Sequence, residues 1–121
     1  MNTTQTGYYT LPNGQKLHFS VNAWYILEEE TGYKPQEFLA DLIEEGSREE
    51  PNEFTLLTLL SDLTFAACKA YDLEEGNEVT YNRFKIRSIV ASMGGEGIKD
   101  LNDNLINNST VDYSLGKKMA Q

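Results

Sequence analysis

A small, mainly α-helical domain of about five helices with an N-terminal β-hairpin is what this sequence predicts, and three observations predict it. From Phe54 to Tyr71 apolar residues fall on nearly every side of a 3.6-residue wheel, so a helix here has to be enclosed by other elements. Residues 7–21 alternate apolar and polar around Pro12-Asn13-Gly14, the pattern of two strands and a turn. Elsewhere apolar residues recur at helical spacing in short segments separated by Gly, Pro and Asn. The chain has 121 residues, the length of one typical domain, and residues 7–106 are expected to form it as a single unit.

Each element has its own local grounds. In the hairpin, Tyr9, Leu11, Leu17, Phe19 and Val21 share one face, and Tyr8, Thr10, Lys16, His18 and Ser20 share the other. Pro12 suits the first central position of a type I turn, Asn13 the second, and Gly14 the left-handed bulge position that follows. Asn22 is expected to cap a helix from Ala23 to Thr31 that ends at Gly32. Its inner face is Ala23, Ile26 and Leu27 with Trp24 at the edge, while Tyr25 points away among Glu28 and Glu29. Pro35 opens a second helix running to Glu45, with Phe38, Leu39, Leu42 and Ile43 as its apolar stripe and Gly46 as its stop. Ser47 to Asn52 is a polar connection. The enclosed helix stops between Asp72 and Gly76, and the core is expected to centre on Leu56, Leu57, Leu60, Leu63 and Ala67. Thr80 is expected to cap the next helix, stapled by Val79 and Phe84, with Ile86, Ile89, Val90 and Met93 inward, Arg83 and Arg87 outward, and Gly94-Gly95 ending it. A last helix from Glu96 to Ile106 carries Ile98, Leu101 and Leu105. Residues 107–121 lack periodicity and are expected to be a disordered tail, as the first six residues are expected to fray.

Composition excludes several classes of function. Nineteen acidic against ten basic residues give a net charge of −9, which repels a phosphate backbone, so no nucleic-acid binding is expected. No apolar run is long enough for a membrane span or a leader, and a cytoplasmic location is expected. Cys68 follows Ala66 and Ala67 on the enclosed helix and reads as a small core residue. His18 has no His or Cys near it in sequence and reads as a surface histidine. Gly94 to Lys99 follows a helix instead of a strand and lacks the Ser or Thr of a phosphate loop. Asp100 to Asn104 is rich in oxygen ligands, but Leu105 and Val111 stand where a calcium loop needs Gly and Glu. No catalytic, metal or cofactor constellation emerges, and no enzyme is expected.

Taken in order, four segments resemble the tail assembly chaperones of long-tailed, siphovirus-like bacteriophages and prophages. They are Tyr-Thr-Leu-Pro-Asn-Gly-Gln-Lys-Leu at Tyr9 to Leu17, Leu-Glu-Glu-Glu-Thr-Gly at Leu27 to Gly32, Ala-Ala-Cys-Lys-Ala-Tyr at Ala66 to Tyr71, and the helix opened by Tyr81-Asn82 that ends in Met93-Gly94-Gly95-Glu96-Gly97. The resemblance covers about Tyr8 to Ile106 and lies in hydrophobic spacing and short phrases, not in catalytic residues. It implies a small acidic helical protein of the host cytoplasm that binds the tape measure protein, with the tail tube protein as a further partner, and that carries no cofactor.

Physical chemistry is compatible with such a partner, a long helical chain whose bare apolar stripes need covering by helix-in-groove packing. Tyr25 on the acidic face of the first helix and Tyr33 after its end are the expected anchors, with the neighbouring glutamates steering basic stretches toward them. Two alternatives stay open: another phage morphogenesis component, such as a tail completion or connector protein, and an acidic regulatory adaptor.

Overall fold

The computed structural model describes residues 7–107, with side chains up to Leu105. Its elements in order are β1 (Tyr8–Thr10), β2 (Lys16–His18), α1 (Val21–Thr31), α2 (Pro35–Ser47), α3 (Glu53–Glu75), α4 (Arg83–Ala91) and α5 (Gly94–Asn107). The protein is therefore mainly helical with an N-terminal hairpin. The expected disorder of the tail concerns residues outside those described, apart from Asn107 itself, which ends α5.

The hairpin forms as its turn chemistry dictates. The strands pair antiparallel with Tyr9 opposite Leu17. Gly14 N donates to Leu11 O at 2.9 Å across Pro12-Asn13, Leu11 N donates to Gln15 O at 2.8 Å, and Gly14 takes φ +92°. Only glycine occupies that left-handed position without steric cost. Leu11, Leu17 and Phe19 are buried, Tyr9 is half-buried, and Val21 leaves the strand face altogether because the helix has already begun.

That early start corrects the first cap. Ser20, not Asn22, holds the cap position of α1, its extended backbone offering the carbonyl that accepts from Ala23 N at 3.0 Å. Both side chains are engaged elsewhere: Ser20 Oγ and Asn22 Nδ2 donate to Glu74 Oε2 at 2.5 and 2.8 Å. Trp24 is buried and not at an edge, its ring 4.9 Å from Phe19 and 6.3 Å from Phe38. Left-handed Gly32 ends the helix as expected.

The second helix runs through Gly46 to Ser47, two residues past the predicted Glu45, because nothing there needs a positive φ and Ser47 Oγ returns to Ile43 O at 2.8 Å. Ile43 is turned to solvent while Glu45 is buried, its Oε2 accepting from Asn52 N at 2.7 Å. A carboxylate that satisfies the backbone entering α3 takes the place of an apolar contact.

Around α3 stand α1, α2, α4 and β2, which is the enclosure its sequence demands. Asn52 caps it by accepting from Thr55 N at 2.9 Å, and left-handed Gly76 ends it, with Asn77 N donating to Asp72 O at 2.7 Å. The core lies nearer the C-terminal end than expected. Leu60, Leu63, Ala66, Ala67, Cys68 and Ala70 are buried, whereas Leu56 and Leu57 are only partly covered and Phe54 is exposed. A stretch of small residues lets the neighbouring elements approach closely there, and burial pushes the Cys68 thiol well above its ordinary range.

The cap of α4 is Asn82, whose Oδ1 accepts from Lys85 N at 2.9 Å, and not Thr80. Moving the cap two residues moves the staple positions to Tyr81 and Ile86, and leaves Phe84 exposed. Ile86 and Val90 are buried, with Ile89 and Met93 packed beside them. Gly94 at φ +79° redirects the chain and α5 starts there, two residues before the predicted Glu96. Leu101 and Leu105 are buried as expected, and Tyr9 OH donates to Asp100 Oδ2 at 3.1 Å, tying the hairpin to α5.

Candidate partner-binding surface

An open groove of about 440 Å³ runs between α1 and α3 and is lined by Asn22, Tyr25, Ile26, Glu29, Lys69, Ala70, Leu73 and Glu74. Helical spacing creates it. Ala23, Ile26 and Leu27 turn α1 inward against the small residues of α3, which leaves Tyr25 off that inner face, 66% exposed at the groove. Leu73, one turn before the end of α3, is 55% exposed. Val21 stands one turn before Tyr25 and is exposed as well. Two large apolar side chains, Tyr25 and Leu73, thus face solvent in one groove.

The rim is acidic at an electrostatic disadvantage. Glu28, Glu29 and Glu30 occupy the C-terminal turn of α1, where the helix macrodipole favours cations. Lys69 Nζ lies 3.1 Å from Glu30 Oε2, Lys34 Nζ lies 3.6 Å from Glu28 Oε2, and Arg83 Nη1 donates to Glu30 O at 3.3 Å. Glu29, inside the groove, has no ion pair among the described residues. Its charge is available to a partner.

Glu74 holds the other end of the groove rigid. Beyond Ser20 and Asn22, its Oε1 pairs with His18 Nδ1 at 2.8 Å, and the His18 ring stacks on Tyr8 at 3.9 Å and 3°. Burial works against the Glu74 charge, but the hydrogen bonds from Ser20, Asn22 and His18 outweigh it and hold the carboxyl below its ordinary range. His18 is thus a partner of Glu74 and Tyr8, where the sequence alone suggests a free surface histidine. The strand alternation puts it on the polar face, but nothing local indicates that α3 would meet it there.

Of the two anchors expected from sequence, the structure places only Tyr25 in an open setting. Tyr33 is half-buried, with its ring 5.3 Å from Phe38 and edge-on to it. The Tyr33 hydroxyl donates to Asp41, and that hydrogen bond, followed by burial, raises its phenol above the ordinary range. The side chain covers the core between α1 and α2 and is not free to project. Conversely, Leu73 sits at the end of a helix whose faces read as apolar all round, so its outward direction has no sequence signal.

Among the described residues no group of three or more His, Cys, Asp or Glu is placed to hold a metal ion, and no helix is long and apolar enough to cross a membrane. The chain matches no protein-family model, no curated protein and no solved structure.

Proposed function

We propose that this protein is a non-enzymatic phage tail assembly chaperone that acts in the host cytoplasm and holds an apolar stripe of the tape measure protein in its α1–α3 groove. The carrying observation is the groove itself, with Tyr25 and Leu73 exposed beside the Glu29 carboxylate, which has no ion pair among the described residues. A helix laid there would bury its apolar face on Tyr25, Ile26 and Leu73 and set basic side chains against the rim. The resemblance of four ordered segments to the chaperone family supplies the identity of the partner, which groove chemistry alone does not name. The tail tube protein is a second partner on the same grounds.

The test is co-expression with the tape measure protein of the same phage or prophage, followed by co-purification. Tyr25→Ala with Leu73→Ser changes only exposed groove side chains, and should leave the unfolding midpoint nearly unmoved while reducing capture by about tenfold or more, as loss of an aromatic anchor does. Undiminished capture by the folded double variant would remove the groove from the reading. Presence of the protein in finished particles would instead favour a tail completion or connector component.

A further inference from the structure

The surface of α4 has the opposite character to the groove. Its nine residues include Arg83, Lys85 and Arg87 and no carboxylate, in a chain of net charge −9. Arg83 Nη2 and Arg87 Nη2 both turn to the buried Asp62, at 3.2 and 3.8 Å from the same Oδ1, so two guanidinium groups share one carboxylate and leave a local positive excess. The Arg87 Nε is buried without a hydrogen-bond partner among the described residues. Phe84 stands 70% exposed with the Arg87 guanidinium 5.7 Å from its ring centre, and Lys85 beside it has no ion pair among the described residues. An exposed aromatic flanked by cations is a recognition element for an apolar site with an acidic rim.

Such a site exists on the same molecule. Phe84 does not line its own groove, and α4 is held against α3 by Ile86, Val90 and the Asp62 pairs, so it cannot reach that groove in cis. We infer that the occupant is a second copy of this chain: Phe84 of one protomer seats between Tyr25 and Leu73 of another, with Lys85 paired to Glu29. The inference is carried by charge complementarity between two side chains without an ion pair among the described residues and by the match of an exposed ring to an open apolar groove. It does not rest on the tape measure reading, and a tape measure helix entering the groove would displace the second copy. The two patches are different, so the contact either repeats head to tail or closes reciprocally as a two-fold pair. Each patch is small and the chains repel at long range, which makes the association weak and concentration-dependent near physiological ionic strength, where repulsion beyond about 8 Å is screened.

Sedimentation velocity of the full chain over a wide concentration range tests this. The wild type should shift from monomer to dimer or larger species. Lys85→Glu and Glu29→Lys should each weaken association by roughly tenfold, and an equimolar mixture of the two single variants, or the doubly substituted chain, should recover most of it because the pair is restored in reverse. Phe84→Ala should weaken it independently of charge. All three positions are exposed, and unchanged far-ultraviolet dichroism would establish that the variants are folded. A monomeric wild type at every concentration, or self-association that both charge variants leave intact, would overturn the proposal. So would loss in the single variants without recovery in the double.

Discussion

Asp72 offers the sharpest test of how the fold is held together. It is 7% exposed, lies on α3, and has no cation within ion-pair distance among the described residues. Its charge is carried instead by neutral donors from three parts of the chain. Tyr81 OH donates to Oδ2 at 2.5 Å, Gln15 Nε2 to the same oxygen at 3.2 Å, and Asn77 Nδ2 to Oδ1 at 3.2 Å. The hairpin turn, the end of α3 and the entry to α4 therefore meet on one carboxylate. A hydrogen bond to a charged acceptor contributes about 1.5–3 kcal/mol, and Tyr81→Phe keeps the ring against Phe65 while deleting that bond, so its expected cost is about 1–2 kcal/mol after allowing for partial exposure. Asp72→Ala strips all three donors, but Gln15 and Asn77 can be rehydrated at the surface, which sets its cost at about 2–4 kcal/mol. The double variant should cost about 1–2 kcal/mol less than the sum of the singles, the signature of a shared interaction. Urea unfolding followed by circular dichroism measures this, with the slope checked for constancy. A coupling below about half a kcal/mol, with folding still cooperative, would mean the contact is incidental and the three segments are joined by packing alone.

Three further outcomes follow from the same structure. Burial, and then the Asp72 hydrogen bond, raise the Tyr81 phenol above its ordinary value of 10.0, so the stabilisation is complete below that pH and is lost as pH climbs toward the folded value; Tyr81→Phe should make this alkaline limb shallower in a stability-against-pH series, leaving the contributions of Cys68, Tyr9 and Tyr33, which are raised in the folded state as well. Glu74 is depressed in the folded state, so its contribution is present above the ordinary carboxylate range and lost as pH falls through the lower folded value; Glu74→Gln should flatten the acid limb in the same measurement. Gly76→Ala places a Cβ at φ +78°, where space is open but the backbone is strained, and should cost about 1–2 kcal/mol in urea unfolding; an effect near zero would show that α3 can end without a left-handed residue.

Much of the architecture is a local property of this sequence. The hairpin follows from alternation and from Pro12-Asn13-Gly14, whose conformations are set by a ring, an adaptable side chain and a missing Cβ. Gly32 and Gly76 end their helices for the same local reason, and the all-round apolar character of Phe54 to Tyr71 is enough to require a helix enclosed by others. What the sequence by itself could not determine is which neighbour each polar group meets. Ser20, Asn22 and His18 converge on Glu74 from positions more than fifty residues away, so the cap of α1 moved from Asn22 to Ser20. Asp62 looks like an interruption in an apolar run until α4 brings Arg83 and Arg87 to it. The same holds for the candidate surface. Tyr25 is legible because the amphipathic wheel of α1 has an outer face, whereas Tyr33 required knowledge of Phe38 beneath it, and Leu73 required knowledge of where α1 leaves α3 uncovered. Periodicity is written in adjacent residues, but desolvation and pairing are properties of the space between elements, and only the packed structure decides them.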